Sequence, residues 1–379
     1  MAKIDVFEME RMQSLHGHDV EYDLSESGVL PLQVDEVLGE HLDTQALLDT
    51  RLGYPRSEGS LQTREHVSEW YSGAGPDEVT IVNGGSEANQ LALWTLLEPG
   101  DHLAFMVPNY LQGWGLGRHY GEATDTFPLV RRGDTWALDT DALEAAVGPR
   151  TKAVMVCNPN NPTGHVLSEP EMDAVVAAAE RVGAWIVADE IYRGAEIDTD
   201  ETCPTFWGRY DRVVVTSGLS KAFAMPGLRI GWAVAPASFV KELWIRHDYT
   251  TLTPGMLSDW FASIAMEPDR REAILSRTRG IVRANLPRLE EWIQIQPVLS
   301  YVRPKAGAIA YVEYDLPVSS TDLIERMRTE QSVLLVPGDM FGLGKGFRIG
   351  FGYDAEKTVK GLELAATCFS SVGRSASPG

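Results

Sequence analysis

Short, uninterrupted apolar runs alternate with helical patterns through the middle of the chain. The runs cover residues 103–107, 153–157, 185–188 and 213–217. Strands that are buried on both faces have this pattern, and they belong to parallel sheets covered by helices. Between two of the runs, residues 170–182 have a helical pattern, with Ser168 as the N-cap and Gly183 as the stop. The pattern predicts an α/β fold whose mostly parallel sheet has helices on both faces.

A second unit follows, because a long helical pattern from about residue 271 leads out of the sheet region. Beyond it come apolar runs at 308–313 and 332–336, with a helical pattern at 320–329 between them. The first 45 residues lack this alternation of apolar runs and helical patterns, and we expect them to pack against this unit.

These observations predict a two-domain organisation. We expect a large domain over residues 46–280 and a smaller, discontinuous α+β domain over residues 1–45 and 281–370. The last residues, 371–379, are small and polar, and we expect them to form a disordered tail.

Composition narrows the function. The chain of 379 residues has 33 Lys and Arg against 54 Asp and Glu, a net charge of −21, which argues against nucleic acid or an anionic membrane as a partner. No run approaches the ~18 apolar residues of a spanning helix, and acids stand near the start where a signal peptide needs an apolar stretch. The three cysteines form no CxxC pair and the histidines are scattered. We therefore expect a cytoplasmic protein without a metal site.

The strongest local feature is the segment SGLSKAFAMPGLRIGW, residues 217–232. Its Lys221 follows an apolar strand and stands among small and apolar neighbours. Burial disfavours the charged form of an amine, and a neutral amine can form a Schiff base. A lysine that reaches solvent from a loop would have the same pattern, so this segment alone leaves both interpretations open.

Three further segments follow predicted strands. Residues 81–88, IVNGGSEA, combine a strand, a glycine turn and a helix start, where backbone N–H groups and the Ser86 hydroxyl would hold a phosphate. A plain strand-to-helix turn is the alternative. Residues 158–164, NPNNPTG, follow a strand where the ligand-facing loops of parallel sheets lie. Asp189, at the end of the next strand, needs a cationic partner, and a protonated pyridine nitrogen would be one.

In this order and with these gaps, the four segments resemble pyridoxal-phosphate enzymes of fold type I, the class I/II aminotransferases. The resemblance extends from about residue 22 to residue 369. It implies that Lys221 forms the Schiff base with pyridoxal 5′-phosphate and that Asp189 pairs with the pyridine nitrogen. By the same resemblance, Asn161 and Tyr192 bond the ring hydroxyl and Tyr110 stacks on the ring. The phosphate ligands it implies are Gly85, Ser86, Arg229 and a serine near Lys221.

The resemblance also implies how substrate and partner bind. Arg348 matches the arginine that grips the substrate α-carboxylate as a bidentate fork, beside Asn161. Tyr54 matches the tyrosine that reaches the phosphate of a neighbouring subunit, which implies a homodimer with shared active sites. A protein of charge −21 would repel both anions unless cations were placed locally, as Arg229 and Arg348 would be. Internal salt bridges of these two arginines are the alternative.

Two departures from the family bear on the reaction. Gly218 stands where the family commonly has its phosphate serine, so Ser217 or Ser220 must substitute, and the sequence leaves the choice open. Residues 24–31, LSESGVLP, contain Glu26 and Gly28 where many relatives have Gly-x-Pro. This stretch resembles the SSSGV-type segment of capreomycidine-synthase-like enzymes, which cyclise a hydroxyarginine on the same cofactor.

The resemblance implies an aminotransferase that moves the α-amino group of a small L-amino acid to a 2-oxo acid. Lys221, once freed by the substrate, would be the general base. The alternative is a lyase or cyclase acting on an arginine-derived amino acid, for which the Glu26 carboxylate would suit the basic side chain. A solvated loop acid is the other interpretation of Glu26. Further candidates for the substrate side chain are Gln112, Trp114 and Arg193.

Overall fold

The computed structural model describes residues 4–39 and 44–375. Helices and strands alternate through its middle part, as the apolar pattern predicts. The strands are β1 (Tyr22–Asp23), β2 (Val79–Val82), β3 (His102–Val107), β4 (Ala123–Arg132), β5 (Thr135–Leu138), β6 (Thr151–Cys157), β7 (Trp185–Asp189), β8 (Val213–Gly218), β9 (Gly231–Val234), β10 (Leu299–Tyr301), β11 (Ile309–Tyr314), β12 (Val333–Leu334), β13 (Val336–Pro337) and β14 (Gly346–Gly350). The helices are α1 (Glu8–His16), α2 (Val34–Leu38), α3 (Thr44–Asp49), α4 (Leu61–Ser68), α5 (Gly85–Leu96), α6 (Gln112–Tyr120), α7 (Thr140–Ala146), α8 (Glu169–Val182), α9 (Ala237–His247), α10 (Met256–Ala265), α11 (Pro268–Gln294), α12 (Ser320–Gln331) and α13 (Ala355–Ser375).

The large sheet has eight strands in the order β2-β9-β8-β7-β6-β3-β4-β5. Neighbours from β8 to β4 run parallel, whereas β2, β9 and β5 are paired antiparallel. The four predicted apolar runs form β3, β6, β7 and β8, so the predicted parallel sheet is confirmed. Because parallel strands point the same way, the loops that follow β6, β7 and β8 leave the sheet at one edge.

Helices cover both faces of this sheet. Successive β3 residues alternate between faces, so that Phe105 packs in one apolar cluster with Leu91 of α5, and Met106 packs in another with Val175 of α8. The predicted start of α8 is confirmed by a capping box at Ser168, and its end by Gly183, whose φ is +69°. Burial on both faces is what made the strands read as uninterrupted apolar runs.

A four-stranded antiparallel sheet, in the order β10-β11-β14-β13, forms after the 27-residue helix α11. The predicted run at 332–336 is divided, because β12 pairs with β1 whereas β13 pairs with β14. The pairing of β1 with β12 places Tyr22 beside Val333. A contact of this kind is what a discontinuous small domain requires, and we keep the domain boundaries as a proposal.

The C-terminal prediction needs a correction. Helix α13 continues to Ser375, so residues 371–375 are helical rather than part of a disordered tail, and residues 376–379 lie outside the described residues. A helix that is already formed extends at little cost even through polar residues. Over residues 4–39 and 44–375, no helix combines the length and apolar character needed to span a bilayer, and no group of three His, Cys, Asp or Glu is arranged to ligate a metal.

Candidate active site

A cavity of about 440 Å³ lies at the edge of the large sheet where the loops after β6, β7 and β8 emerge. Helix α1 and the residues around β1 close its other side. Most of the residues implied by the sequence resemblance line it: Glu26, Gly85, Ser86, Tyr110, Asn161, Asp189, Tyr192, Ser220, Lys221, Arg229 and Arg348. These residues are thus brought together from segments that are far apart in the chain.

An anion cradle is formed at the N-terminus of α5. Gly84 caps this helix with a φ of +100°, a conformation that L side chains rarely adopt, and a Cβ there would collide with the guanidinium of Arg229. The Arg229 Nη1 donates a hydrogen bond to the Pro226 carbonyl, 3.1 Å away, and no carboxylate in the described part of the chain pairs with this arginine. Bare N–H groups, a helix N-terminus and a cation together suit a phosphate.

Packing around Gly218 bears on which serine, Ser217 or Ser220, could bond the phosphate in its place. A Cβ at Gly218 would lie 2.7 Å from the Ile230 carbonyl oxygen, so the backbone leaves no room for a serine there. The hydroxyl of Ser217 is buried and donates to the Glu190 carbonyl, 3.2 Å away. Ser220, in contrast, lines the cavity. The geometry therefore favours Ser220 as the substitute.

Asp189 ends β7 at the bottom of the cavity. Its Oδ2 accepts a hydrogen bond from Asn89 Nδ2 at 2.8 Å, and its Oδ1 accepts one from the Ile191 N–H at 3.1 Å. Asn89 in turn accepts a hydrogen bond from Thr216 Oγ1 at 2.6 Å. Burial raises the pKa of the Asp189 carboxyl above its ordinary value, so the ionised form calls for a positive partner. Sequence reasoning missed Asn89, although a polar residue on the apolar face of α5 was a usable signal.

Two tyrosines reach the cavity through hydroxyl contacts. Tyr192 donates a hydrogen bond to Ser27 Oγ at 3.0 Å, and burial raises the pKa of its phenol. Tyr110 donates to Glu10 Oε1 at 2.9 Å, and its ring centroid lies 4.8 Å from that of Phe7. Both contacts connect the large sheet to the N-terminal residues, and sequence reasoning had not assigned Phe7, Glu10 or Ser27 to the site.

Arg348 on β14 is a buried cation of the site, with 2% of its surface exposed. Its Nη1 donates to Asn161 Oδ1 at 3.0 Å and its Nη2 to the Ser25 carbonyl, whereas the buried Nε has no partner. No carboxylate pairs with Arg348 within the described residues, so the salt bridge considered as an alternative is not seen. Burial lowers the pKa of this guanidinium, and an anion placed against it would offset that loss of hydration.

Lys221 does not have the wholly apolar surroundings that its sequence neighbours predict. Its Nζ donates a hydrogen bond to Glu26 Oε1 at 2.7 Å, and about 23% of its side chain is exposed in the cavity. The Lys221 ammonium holds the pKa of the Glu26 carboxyl down to about 2. Glu26 is therefore not an isolated loop acid, because it contacts the amine that the sequence analysis singled out, and it lines the cavity where a substrate side chain would lie.

The remaining candidates are not among the residues that line the cavity. Tyr54 is 87% exposed and does not line the cavity. Gly28 packs beside Lys221, since a Cβ there would be 3.8 Å from Lys221 Cδ. The prediction for Arg193 is wrong, because this arginine is buried and donates its Nε to the Cys203 carbonyl while its guanidinium lies over the Trp70 ring. An internal cation–π contact explains why a cation follows β7 here.

The two other side-chain candidates are also outside the cavity. Gln112 donates its Nε2 to the Ser86 carbonyl at 2.8 Å, so it supports the helix start rather than a ligand. Trp114 lies under the guanidinium of Arg118, 4.3 Å from the ring centroid. Both residues belong to α6, whose position beside α5 the sequence pattern did not predict.

Comparisons with known proteins point to one family. The family model for class I and II aminotransferases matches residues 22–363. A capreomycidine synthase from Streptomyces vinaceus is 32% identical over 296 residues, which is 76% of this chain and 74% of that protein. A solved PLP-dependent aminotransferase from Streptococcus suis superposes with a TM-score of 0.91 at 30% identity, covering 98% of this chain and 99% of that one. The PLP-dependent cyclase OrfR superposes with a TM-score of 0.86 at 27% identity, covering 97% and 98%.

Proposed function

The chain belongs to the class I and II aminotransferase family, and from this premise we propose that it moves the α-amino group of a small L-amino acid to a 2-oxo acid through Lys221. The observation that carries the proposal is the content of one cavity. Lys221 and Asp189 lie in it together with Arg348, a buried guanidinium that no carboxylate of the described residues neutralises. An enzyme that handles carboxylic acids with an amine needs these groups side by side.

The family's cofactor is pyridoxal 5′-phosphate, and the residues of the cavity fit it. The glycine turn, Ser86 and Arg229 offer N–H groups, a hydroxyl and a cation to a phosphate. Asp189, whose buried carboxylate lacks a positive partner in the described residues, suits a pyridinium nitrogen. When bound, the cofactor supplies an aldehyde for a Schiff base with Lys221 and a ring that accepts the electrons of a broken bond.

Each protein group then has a task in our proposal. Arg348 holds the substrate α-carboxylate as a fork, with Asn161 orienting its guanidinium. This grip would fix the orientation of the bonds at the substrate α-carbon. Lys221 takes the α-proton as the general base, and Asp189 keeps the ring nitrogen protonated. Tyr192 and Asn161 are proposed to bond the ring hydroxyl, Tyr110 to stack on the ring, and Ser220 to bond the phosphate.

Lys221 is tested directly by substitution. Borohydride reduction of the wild-type protein loaded with pyridoxal 5′-phosphate is expected to fix the cofactor to the peptide containing Lys221, as read by mass spectrometry. The Lys221→Ala variant is expected to bind the cofactor without a covalent link and to lose turnover by about 10²–10⁴-fold, the usual range for a general base. A label on another residue, or full activity in the variant, would contradict the assignment.

Transamination is tested by the state of the cofactor. Incubation with single L-amino acids and no 2-oxo acid should leave pyridoxamine phosphate, detectable by its absorbance and mass. A broad panel that includes arginine derivatives is the appropriate set, because pocket contacts worth about 1–3 kcal/mol decide between side chains. A panel that never yields pyridoxamine phosphate would exclude transamination.

A lyase or cyclase reaction on an arginine-derived amino acid is the second candidate. It is favoured by the similarity to capreomycidine synthase and to the OrfR cyclase. In this reaction the amine nitrogen stays in the product or leaves as ammonia, and the cofactor returns as the aldehyde. Mass spectrometry of the products of a hydroxyarginine incubation separates the two candidates, since oxo-acid products alone would remove this one.

We also propose that the enzyme is a homodimer with shared active sites. Tyr54 is exposed, together with Leu48 and Leu52 on the same segment and Tyr249 and Leu252 after α9. Exposed apolar residues of this size suit a surface that is buried against a second copy. Sedimentation of the purified protein is expected to give a dimer, and a fully active monomer would contradict the proposal.

A further inference from the structure

Residues 25–28 contact three groups of the proposed active site at once. The Ser25 carbonyl accepts a hydrogen bond from Arg348, Glu26 accepts one from Lys221, and Ser27 accepts one from Tyr192. We call these four residues the strap, and the sequence analysis had proposed two of them, Glu26 and Gly28, as substrate-side candidates. Among these contacts, the one between the Glu26 carboxylate and Lys221 Nζ bears directly on the chemistry of the lysine.

The strap is held firmly against β14. The Gly350 N–H donates to the Leu24 carbonyl at 2.8 Å before the strap, and the Leu30 N–H donates to the Gly352 carbonyl at 2.8 Å after it. A Cβ at Gly350 would collide with the Glu26 carbonyl oxygen, so only glycine permits this approach. The backbone of Glu26 is thereby fixed on both sides.

Its carboxylate is fixed as well. Glu26 Oε1 accepts hydrogen bonds from Lys221 Nζ at 2.7 Å and from the N–H groups of Ser27 at 2.8 Å and Gly28 at 3.0 Å. Three donors on one oxygen leave it an anion throughout the neutral range. A charge-assisted hydrogen bond of this kind is roughly twice as strong as a neutral one.

Other charged and titratable groups face the pair. Arg348 from β14 lowers the pKa of Glu26 further, and burial together with the Glu26 charge raises the pKa of the Tyr353 phenol. Tyr192 approaches from the loop after β7 through Ser27, and Asp23 approaches from β1. Within the described residues, Glu26 is the carboxylate hydrogen-bonded to Lys221 Nζ.

We propose that Glu26 is a positioning residue that stabilises the charged form of Lys221 and so strengthens it as a general base. The proposal rests on the proposed function, in which the Cα–H bond of the substrate breaks, the proton moves to Lys221 Nζ and the electron pair remains with the substrate joined to the cofactor. The ammonium that results lies against the Glu26 carboxylate.

Two measurements that move in opposite directions test the proposal. In the cofactor-free protein, Glu26→Gln removes the carboxylate that accepts the hydrogen bond from Lys221 Nζ, so the amine is less tightly held and more open to a reagent. Acetylation of Lys221 by acetic anhydride at pH 7.5, followed by peptide mass spectrometry, is therefore expected to be about tenfold faster in Glu26→Gln. Glu10→Gln is the matched control, because Glu10 lines the same cavity but pairs with Tyr110, and its Lys221 is expected to react within about twofold of the wild-type rate.

In the loaded enzyme the same Glu26→Gln change is expected to slow proton abstraction. Exchange of the α-hydrogen of L-alanine and of L-arginine in deuterated water, followed by mass spectrometry, should fall about tenfold, and Glu26→Asp should recover part of it. A merely structural role would not accelerate one reaction while slowing the other. If Glu26→Gln does not fold, Glu26→Ser is used, since serine also lacks the carboxylate and is small enough for this position.

The results that would contradict the role of Glu26 differ from those that would contradict the proposed function. Unchanged acetylation of Lys221 in Glu26→Gln or Glu26→Ser, or an equal change in Glu10→Gln, overturns the role of Glu26. A second pattern also overturns this role: acetylation becomes faster, exchange of L-alanine is unchanged, and only exchange of L-arginine is lost. That pattern would make Glu26 a contact of a basic substrate. An enzyme that exchanges no amino acid contradicts the proposed function, whereas the acetylation result still decides the pairing of Glu26 with Lys221.

Discussion

The two sides of the cavity are built in different ways. On the cofactor side, the glycine turn, Asp189 and Lys221 each follow directly from the end of a strand of the large sheet. On the substrate side, Arg348 and the strap come together across a sequence separation of 323 residues. The first side depends on regular elements that end at one sheet edge, and the second depends on contacts between the N-terminal residues and the C-terminal sheet.

The two sides should therefore respond differently to substitution. A change on the cofactor side is expected to affect the binding of pyridoxal 5′-phosphate and its protonation, whatever the substrate. A change on the substrate side is expected to leave the cofactor in place and to alter only the handling of the amino acid. Substitutions on either side can therefore test whether cofactor binding and substrate handling are separate.

Among the substitutions that compare the two sides, the largest loss of kcat/KM is expected for Arg348→Lys. The variant keeps the positive charge but loses the planar fork, and it leaves Asn161 without its partner. We expect kcat/KM for the amino acid to fall about 10²-fold, since truncating a buried charged partner costs about 2–5 kcal/mol. Cofactor affinity, measured by fluorescence titration, should stay within about twofold.

Arg229→Lys is the matched control for that experiment. The same chemical change on the cofactor side is expected to weaken cofactor binding first, because Arg229 lies over the glycine turn. If both variants lowered cofactor affinity equally, the separation of the two sides would be wrong.

A smaller effect is expected for Asn89→Ala. The Asn89 amide donates to Asp189 and holds the pKa of that carboxyl down, so its loss lets burial raise the pKa further. Asp189 would then lose its charge at a higher pH and hold the ring nitrogen less firmly. We expect turnover to fall about tenfold, as for one hydrogen bond to a charged group, and the acid limb of the pH profile to move to higher pH.

Thr216→Val tests the same series of hydrogen bonds, one residue further from Asp189. The Thr216 hydroxyl donates to Asn89 and not to the Asp189 carboxylate, so its substitution is expected to give a smaller shift in the same direction. An acid limb that moved to lower pH in Asn89→Ala would contradict the assigned role.

The smallest effect is expected for Tyr54→Phe. If the Tyr54 hydroxyl reaches a partner's phosphate as we propose, its loss should weaken cofactor binding a few-fold, in line with about 0.5–1.5 kcal/mol for a hydrogen bond. Fluorescence titration of the dimeric variant measures it, and mixed dimers with Lys221→Ala would show whether the hydroxyl acts across the interface. No change in affinity would remove Tyr54 from the site.

Particular residues show how far prediction from sequence reached. Asp189 and Lys221 were found because a buried strand leaves a recognisable apolar run, and the polar residue after it stands out. Asn89 and Ser27 were missed because each acts by bonding another side chain, and nothing in their own neighbourhood reveals that partner. Arg193 was misassigned because an arginine after a strand looks the same whether it faces a cavity or an aromatic ring.

The strand and helix pattern and the family could be read from the sequence, since they depend on periodicity and on short segments that act locally, and the same segments supplied the cofactor-binding residues that we propose. Only the tertiary structure decided that Glu26 contacts Lys221, that Gly218 leaves no room for a serine and that Arg348 has no carboxylate partner in the described residues. The physical reason is that charge and packing act through space. Whether a buried charge is neutralised depends on residues hundreds of positions away, which the fold alone brings within hydrogen-bonding distance.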